Sequence, residues 1–428
     1  MKVEHALRLL PNLEVLGPLR ARLLSISRAD ERSRWASAGP YLTVGKRAVE
    51  AAALREGIDP LIEQVTAHLR LLFRSVVDAI EAEEAGDTPK AIAALQRAGV
   101  FEVRAGRLKQ AEAWYDAALA LASELSDRGA ELELLRLRGA LGLMLGRYGA
   151  AARDCQRSLV LAEGEFNDGA VIAACEELGN IHRGMGESAG AQAWYERGLS
   201  LNGTHGVRSG WLLLRLGDLA RERGDLLAAT ELLDRAREYM RAGADAAGMA
   251  QTLSAQGQVQ IAQGHHAAAL GAYREALVWA RQGPEPANLE IEIRIRLSDL
   301  ALESGRWLEA EADLRQAEQA ALAHGLAPAL VKIYTLLGRL SGRGGEETGF
   351  VFFEQALELC NALELDALIE ADVCVAYGQF HAALGNVDLS RAYLERAAET
   401  YQARNQTVGA ERVHRELSRL APADATYS

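Results

Sequence analysis

Cysteines, histidines and glycine-rich segments are where this sequence could carry reactive chemistry. The four cysteines, Cys155, Cys175, Cys360 and Cys374, include no C-x-x-C pair and have spacings unlike a zinc site or a disulfide scaffold. They read as buried free thiols. Of the nine histidines, His182 and His381 stand three residues beyond Gly179 and Gly378 and read as packing residues. His265 and His266 fall in an inter-helix turn, with no H-E-x-x-H arrangement beside them, so no metal is expected. Gly39 to Gly45-Lys46 imitates a phosphate loop, but five residues intervene instead of four, and Arg47 replaces the magnesium-binding hydroxyl. Ser341 to Gly345 is glycine-rich with no strand before it and reads as a turn. These residue types assemble no catalytic constellation. The expectation is a non-enzymatic chain without a cofactor.

What must position any binding side chain is a repeat. Gly106, Gly146, Gly186, Gly224, Gly264, Gly305, Gly345 and Gly385 are separated by 40, 40, 38, 40, 41, 40 and 40 residues. Seven residues before each stands a small residue: Gly99, Gly139, Gly179, Gly217, Gly257, Ser298, Gly338 and Gly378. Further along each unit a larger apolar residue precedes a small one by three, as in Tyr115 with Ala118, Tyr195 with Gly198, Tyr273 with Ala276 and Phe353 with Ala356. An offset of three puts both on one helical face. Each unit therefore reads as two antiparallel helices, the laddered glycine ending the first by adopting positive φ. The mid-helix glycine costs roughly 1 kcal/mol relative to alanine, a cost that close approach of a neighbouring helix would offset. The larger residue of the second helix then fills the gap. Five residues after the laddered glycine six units have alanine and the last has Ser390; the seventh departs with Phe350 there and Gly349 one place earlier, and reads as having a turn one residue shorter.

Composition bounds the rest. The chain has 428 residues, 49% hydrophobic and 25% charged, which belongs to globular proteins and not to disordered ones. Its net charge of −12 opposes nonspecific attraction to nucleic acid or to an anionic membrane. The start carries Lys2, Glu4, His5 and Arg8 and lacks the apolar core of a secretory signal, so the expected compartment is the cytoplasm. The first 57 residues hold ten basic and six acidic residues, a local basic bias. Pro60 to Ala85 reads as a long amphipathic helix, and Thr407 to Leu420 as a last helix covering the final apolar face. The resulting division is an N-terminal helical cap over 1–87, eight repeats over 88–404, and a capping helix and tail over 405–428.

The units resemble tetratricopeptide repeats, whose pattern has small residues at its eighth, twentieth and twenty-seventh positions and an aromatic or aliphatic residue at its twenty-fourth. Leu178-Gly179-Asn180 to Trp194-Tyr195, and Gly257 to Tyr273-Arg274-Glu275-Ala276, match best. The resemblance runs from about Lys90 to Ala403. The period of about 40 exceeds the usual 34 and is similar to the lengthened repeats of kinesin light chains, cell-polarity adaptors and the maltose-regulator type of bacterial sensor. The resemblance implies an all-α fold, a right-handed alpha–alpha superhelix of about eight helical hairpins with helical caps. It also implies that the first helix of each unit lines a concave groove.

In that pattern the residue after the eighth position faces the groove. After Val100 and Ala140, this gives polar Asn180, Asp218, Gln258, Asp299, Arg339 and Gln379. Arg183 and Arg221 lie one turn further along the same face, near Arg215 by helical spacing. The implied chemistry is peptide recognition: Asn180, Gln258 and Gln379 bonding a main chain, and Arg183, Arg215, Arg221 and Arg339 selecting acidic groups. The lysine, asparagine and arginine clamp of chaperone adaptors is not reproduced.

The expected function is a scaffold or adaptor that binds a peptide or protein partner in the groove, with neither nucleic acid nor a membrane as partner. The alternative is the sensor portion of a bacterial regulator, binding a small molecule or signalling peptide and controlling a separate output protein. A hydrolase with an unrecognised constellation is the third.

Overall fold

The computed structural model describes residues 75, 78, 79, 82, 85–201, 206–283, 286–324, 326–341, 348–362, 365–404 and 406–420. The basic first 57 residues, nearly all of the expected 60–85 helix, Gly345 and the 421–428 tail lie outside them. The described residues form helices and no strands. The order is α1 (Thr88–Arg104), α2 (Leu108–Leu125), α3 (Arg128–Met144), α4 (Tyr148–Gly164), α5 (Asp168–Gly184) and α6 (Ser188–Leu201). Then come α7 (Val207–Glu222), α8 (Leu226–Ala242), α9 (Ala246–Ala262), α10 (His266–Ala280), α11 (Pro286–Glu303) and α12 (Trp307–His324). The last are α13 (Ala327–Ser341), α14 (Thr348–Ala362), α15 (Ala367–Ala383), α16 (Val387–Ala403) and α17 (Thr407–Leu420). The pairs α3–α4, α5–α6, α7–α8, α9–α10, α13–α14 and α15–α16 each pack as a hairpin, the tetratricopeptide-like alpha–alpha class expected from the repeat.

The helix ends follow from the sequence. Gly106, Gly146, Gly186, Gly224, Gly264, Gly305 and Gly385 all adopt φ between 68° and 81°. At each the chain closes in the same way: the Gly146 N–H reaches Leu143 O at 3.0 Å and the Arg147 N–H reaches Gly142 O at 2.8 Å. This pairing satisfies carbonyls that a helix C-terminus would otherwise leave bare. The turns between pairs use the same geometry without glycine at Ser126, Phe166 and Ala244, with φ of 55°, 53° and 52°. Each is followed at once by the capping residue of the next helix. Asp127, Asn167 and Asp245 accept from the backbone N–H of Ala130, Ala170 and Gly248.

The mid-helix small residues are contact points. A Cβ on Gly99, Gly179 or Gly257 would lie 2.3, 2.3 or 2.8 Å from a ring carbon of Tyr115, Tyr195 or Tyr273, and one on Gly139 would lie 2.3 Å from Cys155 Sγ. Each tyrosine is almost fully buried, contributing roughly 2–3 kcal/mol of apolar burial. The glycine in the first helix and the knob in the second thus form one packing unit.

The chain forms two compact units. The first holds residues 78–99 and 112–313. In it α3, α5, α7, α9 and α11 each lie against the next, while α4, α6, α8 and α10 pack behind them. The second holds residues 100–111 and 314–420. There Phe353 and Leu394 fill the gaps at Gly338 and Gly378, and Gly349 is pressed against the Phe380 ring, which a Cβ would meet at 2.7 Å. Val413 and Ala410 of α17 join the apolar cluster of α15 and α16 around Cys374, Leu394 and Tyr401. The Asp366 N–H, at the start of α15, donates to Gly106 O at 3.2 Å. No described helix is long and apolar enough to cross a membrane.

Candidate functional site

In the first unit Gly179, Gly217 and Gly257 lie against Tyr195, Leu233 and Tyr273 of the second helices, and the residue after each stands about 100° further round its helix. Asn180, Asp218, Gln258 and Asp299 accordingly all lie half-buried, on successive helices α5, α7, α9 and α11. Arg183, Arg215 and Arg221 share this face of α5 and α7 and are also half-buried. Arg339 and Gln379 belong to the second unit, on α13 and α15, and both are exposed.

The α5–α7 region is internally neutralised. The Tyr195 hydroxyl donates to Asn180 Oδ1 at 2.8 Å, and Arg215 Nε donates to Glu176 Oε1 at 3.0 Å. Arg136 of α3 bridges Glu133 at 2.7 Å and Glu177 at 3.3 Å. Arg183 stands 3.9 Å from Asp218 and 3.8 Å from Glu222. Burial works against the Arg215 cation, but Glu176 outweighs it and holds the pKa above the ordinary arginine value. Burial, reinforced by Glu176, pushes the Glu177 carboxyl up, against the pull of Arg136 and Asn180. Arg183 and Arg215, two of the arginines read as selectors of acidic groups, therefore already face carboxylates of the same chain. A ligand must exchange with these pairs instead of meeting bare cations.

One aromatic residue anchors the neighbouring stretch. Trp211 Nε1 donates to Asp245 Oδ2 at 3.0 Å, while the other oxygen of Asp245 caps α9. The Arg215 guanidinium carbon lies 5.9 Å from the Trp211 ring centroid, a cation–π distance. One carboxylate thus fixes both a helix start and the ring on which an arginine rests.

The α9 region is charged differently. Tyr273 lies beneath Gly257, and burial pushes its hydroxyl pKa up; Arg296 and Arg221 pull it down, and Asp299 adds to the upward push. Arg221 comes from α7 and Arg296 from α11, the two neighbours of α9.

Of the residues expected to line the groove, Asn180 and Arg183 lie on α5 and Arg215, Asp218 and Arg221 on α7. Sequence reasoning missed Glu176, Glu177, Arg136, Glu222, Trp211 and Arg296. Glu176 and Glu177 were within its reach, because they precede Asn180 by four and three residues on the same helix.

The thiols are chemically quiet. All four cysteines are free and buried, and burial pushes Cys155 and Cys360 up to about 12 and Cys374 up to about 11. Thiols so displaced stay protonated at neutral pH and make poor nucleophiles. His182 Nδ1 sits 2.6 Å from Glu187 Oε2 and is half-buried, so it is less a core residue than its position suggested. His381 is enclosed by Tyr377, Phe350 and Tyr393, with centroids 4.6, 5.4 and 5.5 Å away. Among the described residues no group of three or more His, Cys, Asp or Glu side chains could hold a metal ion.

The tetratricopeptide-repeat family profile matches residues 172–205 and 371–403. These segments cover most of the pairs α5–α6 and α15–α16. No curated protein matches the chain. Among solved structures, BtubC (BKLC) from P. vanneervenii is 20% identical, with 50% of this chain and 90% of that one covered at a TM-score of 0.42. A Rap protein complexed with competence and sporulation factor is 15% identical, covering 77% and 97% at a TM-score of 0.47. The human IFIT1 dimer with PPP-AAAA is 12% identical, covering 98% and 94% at a TM-score of 0.45.

Proposed function

We propose that the chain is a non-enzymatic repeat scaffold whose first unit binds an extended segment of a protein partner across α3, α5, α7, α9 and α11. The observation that carries this reading is the half-buried polar row Asn180, Asp218, Gln258 and Asp299, one residue from each of four helices laid side by side. A row of this kind presents donors and acceptors at intervals along a surface, which suits a main chain running across the helices.

Asn180 accepts from Tyr195 through its oxygen and donates one amide N–H to Glu177 Oε2 at 3.5 Å, which leaves its second N–H for an incoming carbonyl. Arg183 sits 3.9 Å from Asp218 and 3.8 Å from Glu222 across helices, distances at which these pairs can open toward a ligand. Binding then distributes over several modest contacts, as is usual for repeat proteins. The protonated thiols favour a binding role over a nucleophilic one. Four free cysteines suit a reducing compartment such as the cytoplasm.

The test is selection of a random peptide library against the intact protein, with the Asn180→Ala, Arg183→Ala double variant as counter-target. Peptides that bind the parent at least about tenfold more tightly than the variant are expected, a difference of roughly 1.4 kcal/mol. Recovered peptides that bind both alike would remove this face from consideration.

A further inference from the structure

The turn between α1 and α2 differs from its equivalents. Gly186, Gly224, Gly264 and Gly385 are exposed, and a Cβ on any of them would meet nothing within 4 Å. Gly106 has the same left-handed backbone, with φ of 77° against 78° at Gly186. It is buried, however, and its Cβ would meet Pro328 Cγ at 2.8 Å, Leu365 Cδ2 at 3.2 Å and Ile369 Cδ1 at 3.3 Å. The residue after the glycine shows the same contrast: its side chain is 47% exposed at Arg147 and 56% at Glu187, but 1% at Arg107. Residues 100–111 accordingly pack within the second unit, although 78–99 and 112–313 form the first.

The joint that receives this tip is shaped for it. Before α3, α5 and α9 the capping residue itself closes the preceding helix, with the N–H of Asp127, Asn167 and Asp245 donating to the carbonyls of Ala122, Ala162 and Met240. Before α15 that bond is made one residue earlier, from Leu365 N–H to Cys360 O at 2.9 Å. The extra residue frees the N–H of the cap, Asp366, which donates to Gly106 O at 3.2 Å. Asp366 is held from its other side as well. Its Oδ1 accepts the Leu368 N–H at 3.0 Å, and its Oδ2 accepts from Arg404 Nη2 at 2.8 Å.

We infer that the α1–α2 tip is a strap that docks on the α14–α15 joint and releases from it as a unit. The strap lies in the second unit and does not depend on the groove of the first. In the docked tip Glu102 and Arg107 are paired at 3.1 Å, with side chains 0% and 1% exposed. Taking both charges out of water costs free energy that their mutual attraction only partly returns, so undocking regains hydration that an apolar tip would not. The packing of Gly106 and the Asp366 bond favour docking, and hydration of the ion pair favours release. Opposed contributions of this kind make a local two-state element.

The test is hydrogen exchange of the full chain, resolved to single amides. Asp366 reports the strap, and Leu365, in the same joint but bonded to Cys360, is its control. Gly106→Ala should speed exchange at Asp366 about tenfold or more and leave Leu365 unchanged. Gly186→Ala imposes the same left-handed strain in open space and should move neither amide. Equal acceleration of both amides in Gly106→Ala, or no change in either, would overturn the strap. Trypsin digestion of the native parent tests release without any substitution. Cleavage after Arg107 should be slower than after Arg147 by about tenfold or more, yet faster than global unfolding. Equal rates at the two sites mean an undocked tip, and cleavage after Arg107 only as the whole chain unfolds means a fixed one; either result sinks the proposal. Finally, Arg107→Met alone leaves the Glu102 carboxylate buried without its cation and should speed exchange at Asp366, whereas the double variant Glu102→Leu, Arg107→Met should slow it about threefold or more. A double variant that exchanges as fast as the single one would show that the ion pair fastens the tip, against its assigned part in release.

Discussion

Tyr195 and Tyr273 occupy the same place in their hairpins, each under a glycine of the preceding helix, yet their surroundings diverge. Tyr195 is tied into a closed polar lattice in which Asn180, Glu176 and Glu177 answer the nearby phenol and guanidiniums. At Tyr273 the charged groups acting on the buried phenol are Arg296 and Arg221, opposed by Asp299. Identical backbone packing can therefore carry different electrostatic surroundings. What decides is a handful of residues one turn away from the repeat's invariant spacing.

The packing half of the comparison can be tested most severely. Gly179→Ala places a Cβ 2.3 Å from the Tyr195 ring, while Gly257→Ala places one 2.8 Å from Tyr273. The first should cost about 3 kcal/mol in urea unfolding and the second about 1 kcal/mol, in each case after the gain in helix propensity. Equal midpoints for the two variants would show that the pockets are equally adaptable. Tyr195→Phe comes next: loss of the hydrogen bond to Asn180 should cost about 1 kcal/mol, while Tyr273→Phe should stay within about 0.5 kcal/mol.

A smaller effect is expected for the ion pairs. A double-mutant cycle on Arg215 and Glu176, both about a quarter exposed, should give a coupling of about 0.5 kcal/mol. The same cycle on Arg221 and Glu222 should give none that can be resolved. The slightest signal concerns pH. Because burial raises the folded-state pKa of Glu177 above the ordinary glutamate range, the folded chain holds this proton more tightly than the unfolded one. Its contribution is therefore greatest below the ordinary glutamate pKa and declines as pH rises through the raised value. Glu177→Gln should flatten that part of the stability profile measured by thermal unfolding, and an unchanged slope would show that the carboxylate is solvated as in the unfolded chain.

The architecture was legible because it is written in backbone requirements. A residue that must take positive φ and another that must yield its Cβ to a ring leave marks at fixed intervals, and the glycine ladder predicted both the helix ends and the knobs at Tyr115, Tyr195, Tyr273 and Phe353. The polar row was legible for the same reason, since Asn180, Asp218, Gln258 and Asp299 inherit the register of their small neighbours. The charge pattern was not. Arg215 meets Glu176 from 39 residues away, and Arg136 meets Glu177 from 41. Such meetings depend on the lateral stagger of neighbouring helices, which the pattern along one helix does not state.

The turns between hairpins hold an opportunity for protein engineering. Ser126, Phe166 and Ala244 keep a left-handed backbone that costs a residue with a side chain about 1–2 kcal/mol, and Phe166 also leaves its ring 93% exposed. Nature installed glycine within the hairpins and not at these three joints, so a triple replacement by glycine offers a route to a hardier scaffold. At Ala244 the replacement must leave Asp245 in place, since that next residue caps α9 and holds the Trp211 ring.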